Sequence, residues 1–168
     1  CDDGLRSRLL ARLSHALLWS NDADMAEQMS IDALDLARKS RDSTSLSAAL
    51  AARSDSLAGP HRLEERLLVT RELQSVVRDR NRLSDSVLHH VRLIAALLEY
   101  GDMPALDTAI RSCERVSSEI NTPQFLWYPK TFNAMRCLML GNFDEARKVA
   151  EESFSAGGSR GDENVGHR

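Results

Sequence analysis

The chain has 168 residues and a formal net charge of −3, because 25 aspartates and glutamates outnumber 22 lysines and arginines. This length suits a single domain with a buried core. The slightly acidic balance gives no electrostatic reason to expect direct binding to nucleic acid or to a membrane.

Cysteine usage and hydropathy indicate a cytoplasmic protein that needs no cofactor. The three cysteines, Cys1, Cys113 and Cys137, are widely spaced and form no C-x-x-C pair, so neither a disulfide framework nor a zinc site is indicated. No apolar run approaches the roughly 20 residues of a membrane-spanning helix, and no N-terminal leader is recognisable. Because the chain begins at Cys1 rather than at a methionine, we expect it to be a fragment of a longer protein.

Helical spacing of apolar residues recurs along the chain, in which leucine and alanine are abundant, as is typical of helices. Val87, Val91, Ile94 and Leu98, for example, follow one another at intervals of three or four residues, which places them on one helix face. Eight helices are predicted in chain order, at about 5–19, 22–40, 44–58, 61–80, 83–100, 102–120, 123–140 and 142–156.

Four junctions between predicted helices contain a Gly or Asn, the residues that reach a positive φ at least cost. The steps are 38, 42 and 40 residues along the series Asn21, Gly59, Gly101 and Gly141. A polar residue follows three of these junctions and is expected to accept hydrogen bonds from the first N–H groups of the next helix. These capping residues are Asp22, Asp102 and Asn142.

The period indicates four helical hairpins, at about 1–41, 42–81, 82–121 and 122–157, followed at 158–168 by the start of a further repeat or a tail. One hairpin cannot bury its apolar face alone, so consecutive hairpins are expected to stack into a twisted solenoid. The predicted organisation is therefore one all-α helical-repeat domain.

The last hairpin resembles the tetratricopeptide repeat. Its first helix ends at Gly141, the aromatic Phe143 follows, and the small residue Ala146 opens the second helix, as in the signature of that family. Ala134 matches the small residue that the family has on its first helix. The resemblance implies a right-handed α-α superhelix, with a period of about 40 residues instead of the usual 34 or so.

A wider resemblance covers most of the chain. The segments 9–13, 19–22, 33–38, 59–66 and 125–128 look like the repeat region of large bacterial signalling regulators. Such proteins join a nucleotide-binding signal-transduction module to a helical-repeat sensor and also carry a LuxR-type DNA-binding domain or a nucleotide cyclase domain. The resemblance implies a role in signal transduction or transcription regulation, with other domains of the parent chain as partners.

Four of the eight aromatic residues, Phe125, Trp127, Tyr128 and Phe132, fall within eight residues of sequence. They are the best candidates for a surface that binds a partner or ligand, with packing between repeats as the alternative. Pro129 lies among them and is expected to kink this helix or to delay its start.

The most basic stretch of the sequence contains Arg71 and Arg78, which are candidate contacts for an acidic partner or a phosphate. Acidic residues interrupt this stretch, so an ordinary solvated helix face is the alternative. Trp19, at the end of the first predicted helix, is expected to lie in the core.

No motif indicates a metal site or catalysis. His89 and His90 are adjacent and diverge by about 100° on a helix, so they do not share a metal ion unaided. His61 is expected to make an exposed contact with Glu65, one turn along its helix. The motif G-x-x-x-x-G-K-[ST] does not occur. The glycine-rich run 157–161 has the letters of G-x-S-x-G, but it follows a predicted helix and is expected to be a loop, without the strand-turn-helix context of that motif.

We therefore predict a non-catalytic scaffold that binds a protein or small-molecule effector through its helix faces. It would be the sensor or regulatory segment of a multidomain bacterial transcription or signalling regulator. The alternative function is a homo-oligomerisation module whose exposed repeat ends pair in a homodimer. An enzyme would require a pocket that gathers titratable residues from several helices.

Overall fold

A computed structural model describes residues 2–20, 22–80 and 83–158. The described residues form an all-α fold whose bounds agree within two residues with those predicted, and none of them lies in a strand. The helices are α1 (Asp3–Leu17), α2 (Ala23–Ser40), α3 (Ser43–Ser56), α4 (Leu63–Arg80), α5 (Leu83–Tyr100), α6 (Met103–Ile120), α7 (Pro123–Met139) and α8 (Phe143–Gly158), with one 3-10 turn (Pro60–Arg62) before α4.

Positive φ angles mark the helix junctions, as predicted. Gly59, Gly101 and Gly141 have φ values of 124°, 83° and 78°, which only glycine adopts cheaply. The predicted fourth junction residue, Asn21, lies outside the described residues. Two residues in the breaks between hairpins also adopt the left-handed conformation, Arg41 with φ 55° and Asn121 with φ 51°.

Helix capping differs from the prediction at α2. The side chain of Asp22 makes no capping hydrogen bond, because its ψ of 47° departs from the extended backbone that an N-cap residue needs. Asp42 has that backbone, with ψ 117°, and its carboxylate accepts hydrogen bonds from the N–H groups of Thr44 and Ser45. Asp2 caps α1 in the same way. The capping predicted for Asp102 and Asn142 stays a prediction.

The described part of the chain divides into two compact units. The first unit comprises Cys1–Arg82 and Arg92–Asp102, and the second comprises Leu83–Val91 and Met103–Arg168. The division falls within α5, so the two halves of this continuous helix belong to different units. The organisation as a single domain stays a prediction.

In the first unit, α1 and α2 form an antiparallel hairpin. The Ser7 hydroxyl donates to the carbonyl of Ala33 at 2.8 Å, and Ser14 donates to the carbonyl of Ala26 at 2.7 Å. Both serines are fully buried, so these bonds satisfy hydroxyls that would otherwise destabilise the helix interface. Because the buried residues of α1 have small side chains, the backbones of α1 and α2 lie close together.

Helices α1 and α3 lie side by side and run in the same direction. At one end the Ser45 hydroxyl donates to the carbonyl of Gly4 at 2.9 Å, and at the other His15 Nδ1 lies 3.4 Å from Asp55 Oδ2. These pairs are 41 and 40 residues apart in sequence. A Cβ at position 4 would lie 3.1 Å from Ser45 Oγ, a tight contact that the Ser45 side chain would have to relieve by a few tenths of an ångström, so glycine fits this close approach best. Residues about 40 positions apart in sequence therefore lie opposite each other on α1 and α3, in agreement with the predicted step.

The core of the first unit combines many alanines with a few large side chains. Its buried residues come from α1, α2, α3 and α4, which pack in sequence. They are Ala11, Ala33, Leu34, Ala37, Ala49, Leu50, Ala52, Leu73 and Val77.

In the second unit, α7 packs against α6 and, in antiparallel fashion, against α8. Arg136 of α7 donates to the Asp107 carboxylate of α6 at 2.6 Å, and this hydrogen bond and charge lower the pKa of Asp107. Cys113 is buried, and its burial raises the pKa of the thiol to about 11, so it is not a nucleophilic thiolate near pH 7. Among the described helices, none is long and apolar enough to cross a membrane.

Candidate functional site

The aromatic residues of α7 are half-buried. Phe125, Trp127, Tyr128 and Phe132 each retain partial solvent exposure, and the rings of Trp127 and Tyr128 lie 4.5 Å apart between centroids, tilted by 31°. They are neither a fully buried core nor a free surface. Their role in binding stays a prediction.

Pro129 is buried inside α7, which begins at Pro123. Of the two predicted effects of this proline, the late helix start is therefore wrong, and the kink stays a prediction. Neighbouring backbone is held by side chains of α7 and α8. The carbonyl of Trp127 accepts hydrogen bonds from Thr131 Oγ1 at 2.9 Å and from Ser153 Oγ at 3.1 Å. These two hydroxyls lie 2.7 Å apart. The bond from Ser153 thus joins the turn of α7 that contains Pro129 to α8.

The two candidate arginines lie on α4, in the other unit. Arg71 and Arg78 are both exposed, and neither forms an ion pair with a described residue. Both side chains are therefore available to solvent. The aromatic residues and these arginines belong to different units, and a binding role for either group stays a prediction.

A buried arginine that the sequence analysis did not single out organises the first unit. Only 5% of the Arg53 side chain is exposed, and its guanidinium contacts Glu27 of α2 at 3.1 Å and Glu65 of α4 at 2.6 Å. Arg62 of the 3-10 turn also pairs with both carboxylates. The pKa of Glu27 is lowered, chiefly by its hydrogen bond from Arg62. This network joins consecutive hairpins. It also corrects the predicted contact between His61 and Glu65, since the carboxylate of Glu65 is occupied by arginines.

Three odd-numbered helices contribute to a second polar cluster in the first unit. Asp55 of α3 lies between His15 of α1 and Arg92 of α5, with Arg92 Nη2 2.7 Å from Asp55 Oδ2. Burial alone would raise the pKa of Asp55, but the hydrogen bond from His15 and the charge and hydrogen bond of Arg92 outweigh it and lower this pKa. The carboxylate is therefore a fixed acceptor that holds neighbouring hairpins together.

The free energy of unfolding at acidic pH should depend on the ionisation of Asp55. Because its pKa is lower in the folded than in the unfolded state, its stabilisation is complete above about pH 4, near the unfolded pKa, and is lost as the pH falls through the folded pKa. We expect Asp55→Asn to destabilise the chain at pH 7 and to differ less from the unmodified chain near pH 3. Urea unfolding at both values measures this. If Asp55→Asn destabilised the chain equally at both pH values, the lowered pKa of Asp55 would be contradicted.

The outward face of α1 carries exposed leucines. Leu5, Leu9 and Leu13, spaced by four residues, are 48%, 62% and 45% exposed, whereas the small residues on the other side of the helix are buried. Trp19 is 89% exposed, so its predicted place in the core is wrong. It follows the last turn of α1, where no described element covers it. We call the three leucines the α1 leucine face.

Among the described residues, no group of three or more His, Cys, Asp or Glu side chains could hold a metal ion. His90 Nδ1 lies 2.7 Å from the carbonyl of Ser86, and burial lowers the pKa of this histidine. The pair of His15 with Asp55 resembles half of a catalytic triad, but no hydroxyl or thiol of a described residue forms a hydrogen bond with either side chain.

Comparison with protein-family models, with curated proteins and with solved structures found no match to this chain. The part of the chain that the structure describes is all-helical, with eight helices that pack in adjacent pairs.

Proposed function

We propose that the chain is a non-catalytic binding scaffold, the sensor or regulatory segment of a multidomain regulator. The α1 leucine face carries this proposal. Exposed leucines in a row on one helix lose favourable apolar burial, about 25 cal/mol for each Å² left in water, unless a partner covers them. The resemblance to repeat regions of bacterial signalling regulators supports the same role.

The partner surface that this face fits is an apolar helix. In the first unit α3 packs lengthwise on the opposite side of α1, in a parallel register held at both ends. The α1 leucine face offers a second side for the same kind of helix packing. Arg6 and Arg12 are exposed beside the leucines, so the partner helix would carry acidic residues next to its apolar stripe.

Site-specific photo-crosslinking tests this scaffold role. A benzophenone amino acid replaces Leu9 in cells that make the full-length protein, and the matched control places it at Asp35, an exposed position of α2. We expect one main adduct at position 9, joined to apolar residues of a helix and lost when Leu5 and Leu13 are changed to Asp. Equal yields from positions 9 and 35 would contradict the proposal.

Self-association is the second candidate, because α8 complements α1 in charge. Helix α1 carries three arginines against one aspartate, whereas α8 carries four acidic residues against one arginine and one lysine. Phe143 and Phe154 of α8 are largely exposed. The α1 leucine face of one copy would then meet α8 of the next in a head-to-tail contact.

Sedimentation velocity distinguishes the two candidates. If copies associate through α1 and α8, Leu9→Asp should make the chain monomeric, and raising the salt concentration should weaken association because surface charges are screened. Leu68→Asp is the matched control, since Leu68 is equally exposed but lies on α4. A chain that remains monomeric at high concentration and low salt excludes self-association and leaves the scaffold proposal intact.

A further inference from the structure

A groove in the first unit has the dimensions and lining of a small-molecule site. Its volume is about 330 Å³, at the lower end of the roughly 300–1,000 Å³ of ligand pockets. Ala37 of α2, Leu46 of α3 and Val76 of α4 supply apolar surface. Arg38, Arg41, Asp42 and Ser43 supply the polar part of the lining, around the break between α2 and α3.

Arg41 is the charged residue of this groove that forms no ion pair with any residue that the structure describes. Arg38 is engaged, since its Nη2 donates to both oxygens of Glu72 at 3.2 and 3.0 Å. Asp42 is engaged as well, because it accepts the Ser45 hydroxyl at 2.6 Å together with two backbone N–H groups. Arg41 is exposed and forms no ion pair with a described residue. The groove therefore combines an apolar floor with one unpaired guanidinium.

The backbone at Arg41 is an independent observation. This residue ends α2 in the left-handed conformation, with φ 55° and ψ 21°, where glycine or asparagine is favoured and other residues are strained. Strain of this kind is kept where a side chain has a use. Glycine at this position would relieve the strain but would remove the Arg41 side chain from the lining of the groove.

We propose that this groove binds a small amphipathic carboxylate. The carboxylate pairs with the guanidinium of Arg41, whose two N–H groups match its two oxygens, and the hydrocarbon portion lies on Ala37, Leu46 and Val76. The site is separate from the α1 leucine face, so it stands or falls independently of the scaffold proposal.

Octanoate is the probe, with two matched compounds. Octanol keeps the chain without the charge, and acetate keeps the charge without the chain. Calorimetry and methyl NMR on the full chain should show saturable octanoate binding that shifts the signals of Leu46 and Val76. Octanol and acetate should bind at least about ten-fold more weakly, since each lacks one of the two contacts. Comparable binding of octanol or acetate, or tighter binding of inorganic phosphate than of octanoate, would overturn the proposal.

Arg41→Gly separates binding from folding. Glycine suits the left-handed backbone, so this variant should melt at a higher temperature than the unmodified chain while its affinity for octanoate falls about ten-fold or more. Arg111→Gln, which removes an exposed charge of α6 outside the groove, should leave octanoate affinity unchanged. Undiminished octanoate binding by a folded Arg41→Gly chain, or no saturable binding by the unmodified chain, would overturn the proposal.

Discussion

Replacing Leu50 by alanine is expected to lower the free energy of unfolding by about 2–5 kcal/mol, the largest effect of any single truncation considered. Leu50 is fully buried in α3 and belongs to the core that α1, α2, α3 and α4 share. Several of its neighbours in that core are already alanines, which have no flexible side chain to move into the space. The cavity should therefore persist, and the cost should lie towards the upper part of the range.

Urea unfolding measures the effect, with Leu68→Ala as the matched control. Leu68 is 65% exposed on α4, so its truncation should change the free energy of unfolding by less than about 0.5 kcal/mol. Equal effects of the two variants would mean that α3 does not lie at the centre of the first unit.

Arg53→Ala is expected to cost about 2–3 kcal/mol. Removing one member of a buried ion pair costs about 3–5 kcal/mol when the remaining charge stays buried without a partner. Here Glu27 and Glu65 are 33% and 43% exposed and keep Arg62 as a partner, so water screens part of the loss. The packing of the long Arg53 side chain is lost as well.

The control for Arg53 is an ion pair with the same chemistry on the surface. Arg38 pairs with Glu72 at 3.0 Å, but both side chains are largely exposed, so Arg38→Ala should cost less than about 1 kcal/mol. Denaturant unfolding of both variants at low and high salt gives the comparison. A loss for Arg53→Ala no greater than that for Arg38→Ala would show that the buried network does not hold the hairpins together.

The helices were predictable because their signals are local. Glycines at 59, 101 and 141 end helices for steric reasons that depend only on the backbone, and the structure gives all three a positive φ. The stripe that starts at Val87 and includes Ile94 is buried or half-buried, as its spacing indicates. Local chemistry thus fixes most helix bounds before any tertiary contact is considered.

The orientation of α1 was not predictable from the rule that large apolar residues lie inside. Its buried face consists of small residues such as Gly4, Ser7 and Ala11, because close packing on α2 and α3 leaves no room for leucine. The leucines are therefore left outside. A row of small residues opposite a row of leucines was the available signal, and it indicates two faces for packing rather than one.

The polar contacts that join the hairpins depend on distant residues. Arg53 looks like any charged helical residue in the sequence, and only the approach of Glu27 and Glu65 from two other helices explains its burial. Arg41 is a similar case, because nothing local marks it for a left-handed backbone. Such sites follow from tertiary packing, which a single sequence without its register does not specify.

The most direct test of the hairpin register is a pair of engineered cysteines in α1 and α3. A Cβ at position 4 would lie 3.1 Å from the side-chain atom of Ser45, close to the geometry of a disulfide. We expect Gly4→Cys with Ser45→Cys to form this bond rapidly under mild oxidation, as detected by mass spectrometry of proteolytic fragments. The pair Gly4→Cys with Ala49→Cys, one turn further along α3, should remain reduced. Efficient bonding of the second pair instead of the first would show that the helices are not stacked in a 40-residue register.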